Sequence, residues 1–474
     1  MPNRVKTREP RSGLGLGWRL RKWFHTTVDA LVANNIAKDS VVFDVGCGDA
    51  SLLEMCHPLV GVGVDRELGR AVKESMHAGN MRMFEDDLYM WNPTPELPEP
   101  TVIVAAFVLD QVDDIYLALR RFRSWCAPNT RLITVSYNRL WSPMLRLAEL
   151  VRLKTKTTNE NYVPWREADN LLKQSGFEVV KHIDGILIPF YIPLLSHAVN
   201  RFVAPLPFFR AFAIVRLSVA RPVEPTSEEQ PSVSVIIPAR NESGNIRPIL
   251  QRLPRFTSRL EVIFVEGNST DDTWKQILNC IRDEDLVQGL TVGAYQQAGV
   301  GKGDAVRTGF AAAQGDILAI LDADISVPPE ELPRFIELVA SNYCDLANGS
   351  RLVYPMERRA MRFLNLLGNW LFGVVFSYLI GQQVRDTLCG TKVLKRDLYW
   401  SIAANREQLG TLDPFGDFDL LLGAAKLNQK ISDVPVHYCE RTYGSTNISR
   451  FRHGMLLINM TFRAALQLKF VRQT

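Results

Sequence analysis

The stretch that most constrains the fold of this chain is "LAILDADISV", residues 318–327, in which an apolar run ends in Asp322 and Asp324. A short apolar run bounded by polar residues is typical of a buried β-strand. Ionised carboxylates at the end of such a strand are costly to desolvate unless a cation pairs with them. The site therefore needs a positive partner, from the chain or from a ligand.

Two earlier strands are predicted to end beside these aspartates. "PSVSVIIPARNES" ends in Asn241 and Glu242, and "RLEVIFVEGNSTDDT" carries Glu266 at the carboxyl end of its apolar run. Ligands of open α/β sheets bind at this edge. We therefore expect Asp322 and Asp324 to hold Mg²⁺ or Mn²⁺ together with a diphosphate. The alternative is an Asp-x-Asp turn that only caps the following helix.

The first half of the chain repeats the pattern with a glycine-rich turn. "VVFDVGCGDASLLEM" (41–55) predicts a strand, a tight turn and the start of a helix, and such a turn lets a ligand approach the backbone. A second strand, "VGVGV", ends in Asp65, and "FEDDLYMW" places Asp86 and Asp87 after a third. Further strands are predicted in "TVIVAAFVLDQVDD" and "NTRLITVSYN". The pattern predicts either a nucleoside-binding domain or an inert scaffold of the same fold.

The two halves are separated by "RPVEPTSEEQP", in which prolines and acids leave hardly an apolar side chain. This composition is typical of a linker. A chain of 474 residues is too long for one ordinary core, so we predict two tandem α/β domains. The expected boundaries are a basic leader at 1–24, a first domain at 25–220, the linker at 221–231 and a second domain at 232–474.

Composition predicts a cytoplasmic protein with no nucleic-acid partner. The chain is 46% hydrophobic and 22% charged, with a net charge of only +4. Its seven cysteines form no C-x-x-C pair, which fits a reducing compartment and argues against zinc or a disulfide framework. The first 22 residues contain seven basic groups and one acid. This leader is either a solvated tail or a contact to an anionic membrane, so peripheral association at the inner membrane face is retained.

The segment "FLNLLGNWLFGVVFSYLIG" (363–381) is uncharged over a length that could span a bilayer. Small or polar residues recur at every fourth position from Asn365 to Gly381. Because a crossing would separate residues of one site, we predict a helix that is either buried or lies in the membrane interface.

The strands and turns of the first half resemble class I S-adenosylmethionine-dependent methyltransferases. The resemblance implies that Asp44, Gly46 and Gly48 shape the cofactor loop, that Asp65 binds the ribose, and that Asp86 or Asp87 meets the adenine. Ala50 stands where the family often has a third glycine. The methyl acceptor is left open, because neither His182 nor His197 can be assigned as a base. We expect "GILIPFYIPLL" (185–195) to form a cap over the site.

The second half resembles family 2 glycosyltransferases of the GT-A fold, in particular the dolichyl-phosphate-mannose-synthase-like branch. The motifs that carry the resemblance are "VIIPARNE", "GKGDAVRTGF", "LDADIS", "NGSRLV", "DTLCGTKVL" and "VPVHYCERTYGSTNISRF". The expected donor is a UDP- or GDP-sugar. The expected acceptor is a polyprenyl phosphate or a glycolipid.

The resemblance also implies residue roles. Asp322 and Asp324 would bind metal and diphosphate, and Lys302 would lie near the base or ribose. Arg351, Arg441 and Lys392 would bind phosphate groups, for which planar guanidinium groups are well suited. The remaining nucleotide contacts would come from Pro238, Asn241, Glu242 and Glu266. Glu266 and Gly267 replace a pair of aspartates common in the family, which leaves the nucleobase open.

The acceptor motif is only partly preserved. Polyprenyl-phosphate enzymes commonly have R-x-x-G-x-S-K, and this chain keeps the spacing from Arg441 but lacks the lysine. An alcohol acceptor would need a carboxylate base, for which "DPFGDFDLL" offers Asp413, Asp417 and Asp419. The alternative is an acid run that is solvated or caps a helix.

Taken together, the sequence predicts a bifunctional enzyme that transfers sugar by a metal-dependent, inverting reaction and methylates a glycan-related substrate. Three alternatives stay open. The transferase could act on a hydroxyl of a glycan or metabolite, the methyltransferase-like half could be non-catalytic, or the protein could only bind a glycolipid.

Overall fold

The protein is described from a computed structural model. It describes residues 16–68, 79–150, 161, 163–223, 230–354, 363–406, 416–440, 443 and 450–470, and only the backbone at 16–21, 363–367 and 450–456. The chain forms two compact units that meet in sequence between Pro222 and Val223. Each unit contains one seven-stranded sheet within the described residues. The predicted fold class, two α/β domains in tandem, is confirmed.

The first unit alternates strands and helices. Its strands are β1 Val41–Val45, β2 Val60–Asp65, β3 Met81–Glu85, β4 Val102–Ala106, β5 Arg131–Tyr137, β6 Phe177–Gly185 and β7 Val215–Pro222. Its helices are α1 Leu16–Ala33, α2 Ser51–Cys56, α3 Ile115–Ser124, α4 Ser142–Leu150, α5 Trp165–Gln174 and α6 Leu195–Ala198. The strand order is β3-β2-β1-β4-β5-β7-β6, with β1 to β5 parallel and β7 antiparallel to both neighbours.

The central strands of this sheet are buried on both faces, which explains their continuous apolar sequence. Every residue of β1 is buried, although Asp44 interrupts its apolar run. One buried cluster contains Val42 and Val104, and a second contains Phe43 and Ile103, because alternate side chains of a strand point to opposite faces. The parallel strands place all their carboxyl ends at one edge. The turns that follow β1, β2 and β4 therefore meet there.

The second unit also alternates strands and helices, but its sheet combines parallel and antiparallel pairs of strands. Its strands are β8 Val233–Ala239, β9 Leu260–Glu266, β10 Thr291–Gln296, β11 Ile317–Ile320, β12 Leu346–Ser350, β13 Lys392–Lys395 and β14 Ile431–Pro435. Its helices are α7 Ile246–Arg252, α8 Thr273–Ile281, α9 Glu284–Val287, α10 Lys302–Ala312, α11 Leu332–Ala340, α12 Phe363–Ile380, α13 Arg396–Ala404, α14 Asp417–Lys426 and α15 Arg450–Ala464. The strand order is β10-β9-β8-β11-β13-β12-β14.

The order of these strands creates the crevice in which a ligand can bind. Strands β8 to β11 are parallel, and β13 pairs with both β11 and β12 in the antiparallel sense. The chain moves outward from β8 to β10 and then returns to β11 on the other side of β8. At such a reversal the connections leave in opposite directions and open a crevice at the carboxyl ends.

The uncharged segment 363–381 forms helix α12, as predicted. Two polar residues of its stripe pack inward. Asn369 is buried, and the Ser377 hydroxyl both donates to the Val384 carbonyl and accepts from the Val384 amide, each at 2.9 Å. Trp370, Leu371 and Val374 are exposed. No helix in the described part of the chain is both long and apolar enough to cross a membrane.

Candidate functional site

The glycine turn after β1 has the backbone shape that the sequence predicted. Gly46 and Gly48 have φ of +76° and +53°, in the left-handed region that favours glycine. No heavy atom lies within 4 Å of where a side chain of Gly48 would begin. The Gly48 amide donates to the Asp65 carboxylate at 2.9 Å, which joins the ends of β1 and β2. The turn leaves room for a ligand against its backbone.

A group of carboxylates lies below this turn. Asp44 is buried, and its pKa is well above the usual range because of burial and then because of Asp29, Asp65 and Asp49. Asp29, on α1, accepts a hydrogen bond from Ser51 at 2.7 Å. Burial raises the pKa of Asp29 to about 6, with a smaller contribution from Asp49. So many mutually repelling acids favour a cationic ligand, such as one that bears a sulfonium and an ammonium group.

The two aspartates after β3 have different surroundings. Asp86 is exposed, and its carboxylate accepts from the Asp87 amide at 2.7 Å. Asp87 forms an ion pair with Arg66 at 2.7 Å and also accepts from the Tyr89 amide. Both lie at the carboxyl edge of the sheet, so the structure brings together all six residues predicted for the cofactor.

Aromatic side chains cover the ends of β4 and β5. Phe107 has φ +59°, an unusual value for a bulky residue, and its ring stacks on Tyr137 with centroids 4.4 Å apart. Phe24 on α1 stacks on the same tyrosine. His182 contacts Ser218 and Asp169, whereas the His197 ring packs edge-on against Trp23 and Tyr191. Neither histidine is placed as an evident base.

In the second unit, the partner of Asp322 within the chain is a lysine. The Lys302 ammonium, at the start of α10, lies 2.5 Å from the Asp322 carboxylate. Burial alone would lower the pKa of Lys302, but Asp322 and Asp417 outweigh it and raise that pKa above its usual range. Sequence reasoning placed Lys302 near the base or ribose, whereas the structure places it on the Asp-x-Asp motif.

Gly390 lies directly against this ion pair. A side chain at Gly390 would overlap both the Asp322 carboxylate and the Lys302 ammonium. The turn before β13 therefore approaches the pair by its backbone alone. This close approach explains a glycine in the "CGTK" sequence.

A second acid–base pair adjoins the first. The fully buried Lys392 ammonium lies 3.4 Å from Asp417, the first residue of α14, and donates to the Cys389 carbonyl at 2.5 Å. The same oxygen of Asp417 forms no hydrogen bond. Because Asp417 also acts on the pKa of Lys302, the carboxylates and lysines alternate within one cluster.

Asp324 is held by a strained turn. It is buried and accepts from the Ser326 amide at 3.0 Å, while the intervening Ile325 has φ +55°, which is rare for a β-branched residue. No group of three metal-ligating side chains occurs in the described residues. Two neighbouring carboxylates nevertheless suit Mg²⁺ or Mn²⁺, because such ions take their remaining ligands from phosphate oxygens and water.

The residues predicted to contact the nucleotide connect the first two strands of this unit. Asn241, with φ +58°, accepts from the Thr270 amide at 2.8 Å. The Glu242 amide donates to Thr273 at 2.9 Å. Glu266 is buried and accepts from the Ser269 amide at 2.5 Å. These side chains shape the loops around the crevice, and Pro238 pairs with Val265 in the register of β8 and β9.

Sequence reasoning missed three residues here. Gln296 donates to Glu266 at 3.2 Å, and Gln297 is buried near Gly267 with its carbonyl oxygen unpaired. Gln296 and Gln297 lie at the carboxyl end of β10. The strand-end pattern that predicts Asp322 and Glu266 would also predict these two glutamines if it were applied to β10. The Tyr443 hydroxyl lies 3.0 Å from the Ser243 hydroxyl. No local pattern predicts a contact between residues 200 positions apart.

Arg351 has a different partner from the one predicted. Its guanidinium binds both oxygens of Asp386, at 2.7 and 2.8 Å, and its backbone amide donates to the same carboxylate. Burial would raise the pKa of Asp386, but Arg351 outweighs burial and lowers it. The Nε and Nη2 groups of Arg351, which could otherwise bind two phosphate oxygens, both donate to Asp386. This arrangement favours a structural role for Arg351.

The acids of "DPFGDFDLL" do not act together. Asp417 faces the lysine cluster, whereas Asp419 accepts from Arg406 at 2.7 Å. Residues two apart on a helix do not share a face, which explains the separation. Asp413 and Arg441 lie outside the described residues.

Each of the two α/β folds thus gathers the predicted residues at the carboxyl edge of its sheet, as a glycine turn with acids in the first domain and as paired acids and lysines in the second. The chain carries a methyltransferase domain followed by a family 2 glycosyltransferase domain. Residues 17–182 match the family model described as "Methyltransferase domain", and residues 234–403 match "Glycosyl transferase family 2". The families predicted from the motifs are therefore confirmed.

Curated relatives resemble the second domain. A dolichyl-phosphate hexose transferase of Haloferax volcanii is 28% identical over 50% of this chain and 94% of its own length. An undecaprenyl-phosphate 4-deoxy-4-formamido-L-arabinose transferase of Pseudomonas fluorescens is 28% identical over 48% of this chain. The chain spans 63% of the length of that second relative.

Solved structures also match about half of the chain. Glucosyl-3-phosphoglycerate synthase of Mycobacterium tuberculosis, in complex with Mn²⁺, UDP and glucosyl-3-phosphoglycerate, is 19% identical. The match covers 52% of this chain and 88% of that one, with a TM-score of 0.37.

Proposed function

We propose that the second domain transfers a sugar from a nucleoside diphosphate sugar to a polyprenyl phosphate. We further propose that the first domain transfers a methyl group from S-adenosylmethionine to a glycan-related substrate. The observation that carries the first proposal is the cluster of Asp322, Lys302, Asp417 and Lys392 at the crevice of the second sheet.

The alternation of charge in this cluster suits a donor diphosphate. The lysine side chains can attract phosphate oxygens, and the neighbouring carboxylates offset part of the cost of burying Lys302 and Lys392. Asp322 and Asp324 would hold Mg²⁺ or Mn²⁺, which would neutralise charge on the leaving nucleoside diphosphate. Asn241, Glu242 and Glu266 lie at the neighbouring strand ends, where they can position the nucleoside.

The acceptor is inferred from the printed activities of relatives and from the same charges. Two relatives act on dolichyl phosphate and undecaprenyl phosphate, and a phosphate acceptor is already anionic. It therefore needs positioning rather than a strong base, and the buried Lys392 can supply positive charge. The exposed apolar side chains of α12, Trp370, Leu371 and Val374, can rest on the membrane that holds such a lipid.

The methyl donor is inferred from the carboxylates of the first domain. Asp44 and Asp29 face a turn that has room for a ligand, and a sulfonium cation would relieve their mutual repulsion. Asp65, at the end of β2, is placed for ribose hydroxyl groups. Both substrates would then belong to one glycan or glycolipid.

Solvent partition of a radiolabel tests the transferase. The full chain is incubated with Mn²⁺, a labelled UDP- or GDP-sugar and a polyprenyl phosphate, and the mixture is extracted with organic solvent. Label in the organic phase is the expected result, and EDTA should abolish it. The organic product is then offered to the same protein with labelled S-adenosylmethionine.

A hydroxyl acceptor is the second candidate, because one oxygen of Asp417 has no hydrogen bond. If nucleotide is released while the lipid stays unlabelled, the phosphate acceptor is wrong. Asp417→Asn should then reduce transfer by about 10²–10⁴-fold, as expected for loss of a general base. Asp419→Asn is the matched control, since its carboxylate binds Arg406 instead.

A further inference from the structure

The first domain exposes a large apolar surface that its fold does not use. This surface, here named the outer face, consists of the segment 186–214 between β6 and β7 together with helix α4. Its exposed side chains include Phe190, Tyr191, Leu194, Phe208, Leu147 and Leu150. Leu194 is 86% exposed and Phe208 is 71% exposed. Exposed apolar patches of this kind mark surfaces that meet a membrane or another partner.

Within the segment 186–214, buried polar side chains bind the backbone, and this arrangement leaves the apolar side chains exposed. Asn200 is buried, and its side chain accepts from the amides of Leu187 and Ile188 and donates to the Ile188 carbonyl, each at 2.9 Å. Ser196 is also buried and accepts from the Ile192 amide at 2.7 Å. Buried polar groups thus bind the backbone, and the apolar side chains face solvent. A cap, which sequence reasoning expected here, would instead turn them inward.

The segment and α4 are fastened to each other. The Asn138 side chain, which precedes α4, donates to the carbonyls of Ala211 and Ala213 at 3.1 and 2.9 Å. The Trp141 indole donates to the Phe212 carbonyl at 2.9 Å. Helix α4 has no buried side chain, and its leucines extend the apolar surface. The two parts therefore form one face.

The outer face lies at the edge of the sheet that holds the cofactor turn. Tyr137, at the end of β5, pairs with Val215, at the start of β7, and Val215 pairs with Gly185, at the end of β6. The segment that joins Gly185 to Val215 consequently leaves the sheet at the carboxyl end of β5. Since β1 is parallel to β5 through β4, the turn at Gly46 and Gly48 leaves at the same edge.

The charge of the outer face indicates what it meets. The segment 186–214 contains no Asp or Glu, and the side chains in it that can carry a positive charge are His197, Arg201 and Arg210. Helix α4 adds Arg146 and Glu149. Aromatic and leucine side chains with arginines among them are typical of protein surfaces that lie in the headgroup region of an anionic bilayer.

We propose that the outer face docks the methyltransferase domain on an anionic lipid bilayer, so that the methyl acceptor is a membrane-bound, lipid-linked molecule. The inference deepens the proposed function, because it rests on methylation of a glycolipid. The bilayer would meet the sheet edge at which the donor binds. An acceptor head group could then reach the cofactor while its lipid stays in the membrane.

Vesicle flotation of the full chain tests the docking. Wild type is mixed with vesicles of phosphatidylcholine containing phosphatidylglycerol, or of phosphatidylcholine alone. We expect binding to the anionic vesicles. The double change Leu194→Glu with Phe208→Glu should weaken this binding by at least about ten-fold, because two apolar side chains that would enter the bilayer are lost. Arg201→Gln with Arg210→Gln should weaken binding to anionic vesicles selectively.

The matched control carries the same added charge elsewhere. Leu59→Glu with Leu117→Glu changes two exposed leucines outside the outer face and should leave binding at the wild-type level. Equal binding by the two double variants would overturn the proposal. So would self-association of wild type that the Leu194 and Phe208 changes abolish, because the face would then bind a second copy.

Two further measurements separate this inference from the proposed function. Leu371→Glu with Val374→Glu in α12 tests membrane contact by the other domain and should lower binding independently. Melting temperature and S-adenosylmethionine affinity should be unchanged in the Leu194 and Phe208 variant, which excludes misfolding. If sugar transfer to polyprenyl phosphate fails while flotation behaves as expected, the proposed acceptor is wrong and the docking face stands.

Discussion

The two domains treat their buried carboxylates in opposite ways. In the first domain, burial raises the pKa values of Asp44 and Asp29, and neighbouring acids add to the rise. In the second, Asp322 lies on Lys302 and Asp417 on Lys392. Both groups nevertheless occupy the same place in the fold, the carboxyl edge of parallel strands.

The difference shows that the residues next to the acids set the electrostatic potential of each site, and therefore the charge of the ligand that the site would favour. An acidic site without basic partners is stabilised when a cation binds, whereas a site with its own lysines can accept an anion such as a diphosphate. The same strand-end position thus has opposite electrostatic surroundings in the two domains.

Loss of Asp322 should give the largest effect. Asp322→Asn removes the charge that holds Lys302 and would hold the metal, so we expect sugar transfer to fall by about 10²–10³-fold. S-adenosylmethionine binding should not change, as isothermal titration would measure. Asp316→Asn, at the opposite end of β11 where the carboxylate binds Ser232, is the control and should transfer sugar normally.

Breaking a structural pair should act on stability instead of chemistry. Asp386→Asn leaves the Arg351 side chain, which is only 11% exposed, without its counter-charge, and breaking such a pair costs about 3–5 kcal/mol. Urea unfolding followed by circular dichroism measures the loss. An unchanged midpoint of the transition that involves the second domain would show that Arg351 is free to bind phosphate, as the sequence suggested.

Two glycines, one in each domain, differ in how much room surrounds them. Gly390→Ala pushes a methyl group into the Asp322–Lys302 pair and should reduce transfer by about ten- to hundred-fold. Gly48→Ala meets no atom within 4 Å, so only its left-handed backbone opposes it, at about 1 kcal/mol. Initial rates and melting curves of both variants measure these effects, and equal disturbance of both domains would contradict the contact geometry.

Neutralising Asp44 should have opposite effects on binding and on stability. Asp44→Asn removes a carboxyl group whose ionised form is disfavoured by burial and then by neighbouring acids, so the melting temperature of the first domain should rise. Affinity for S-adenosylmethionine should fall by about ten-fold, because the cation loses a partner. Calorimetry measures both quantities, and a lower melting temperature would mean that Asp44 has a stabilising cation in the free protein.

The smallest effect concerns pH. The pKa of Asp29 is about 6 in the folded domain and lies lower in the unfolded chain, so the folded state binds more protons between these values. The contribution of Asp29 to stability therefore decreases as pH rises toward 6. Cofactor affinity should increase over the same range by a few-fold, since the ionised carboxylate attracts a cation. Asp29→Asn should flatten this increase in a titration series from pH 5 to 7.

Much of the site could be predicted because it follows strand ends. Asp44, Asp65, Asp322 and Asp324 each come directly after or within a short buried run, and a local pattern is enough to find them. Asp29 could not be found this way, since it lies on a helix 15 residues before Asp44 and nothing in α1 marks it. Gln297 follows the carboxyl end of β10, so the same strand-end pattern predicts it.

The sequence by itself determined the two tandem α/β domains, their two families and the sheet edge at which the strand-end acids lie, because these depend on patterns within a few residues. Only the tertiary structure decided which acid meets which base. Asp386 takes Arg351, and Asp417 rather than Asp419 turns to the lysines. These pairings join residues that are at least a dozen positions apart in the chain, and a pattern within a few residues cannot predict them.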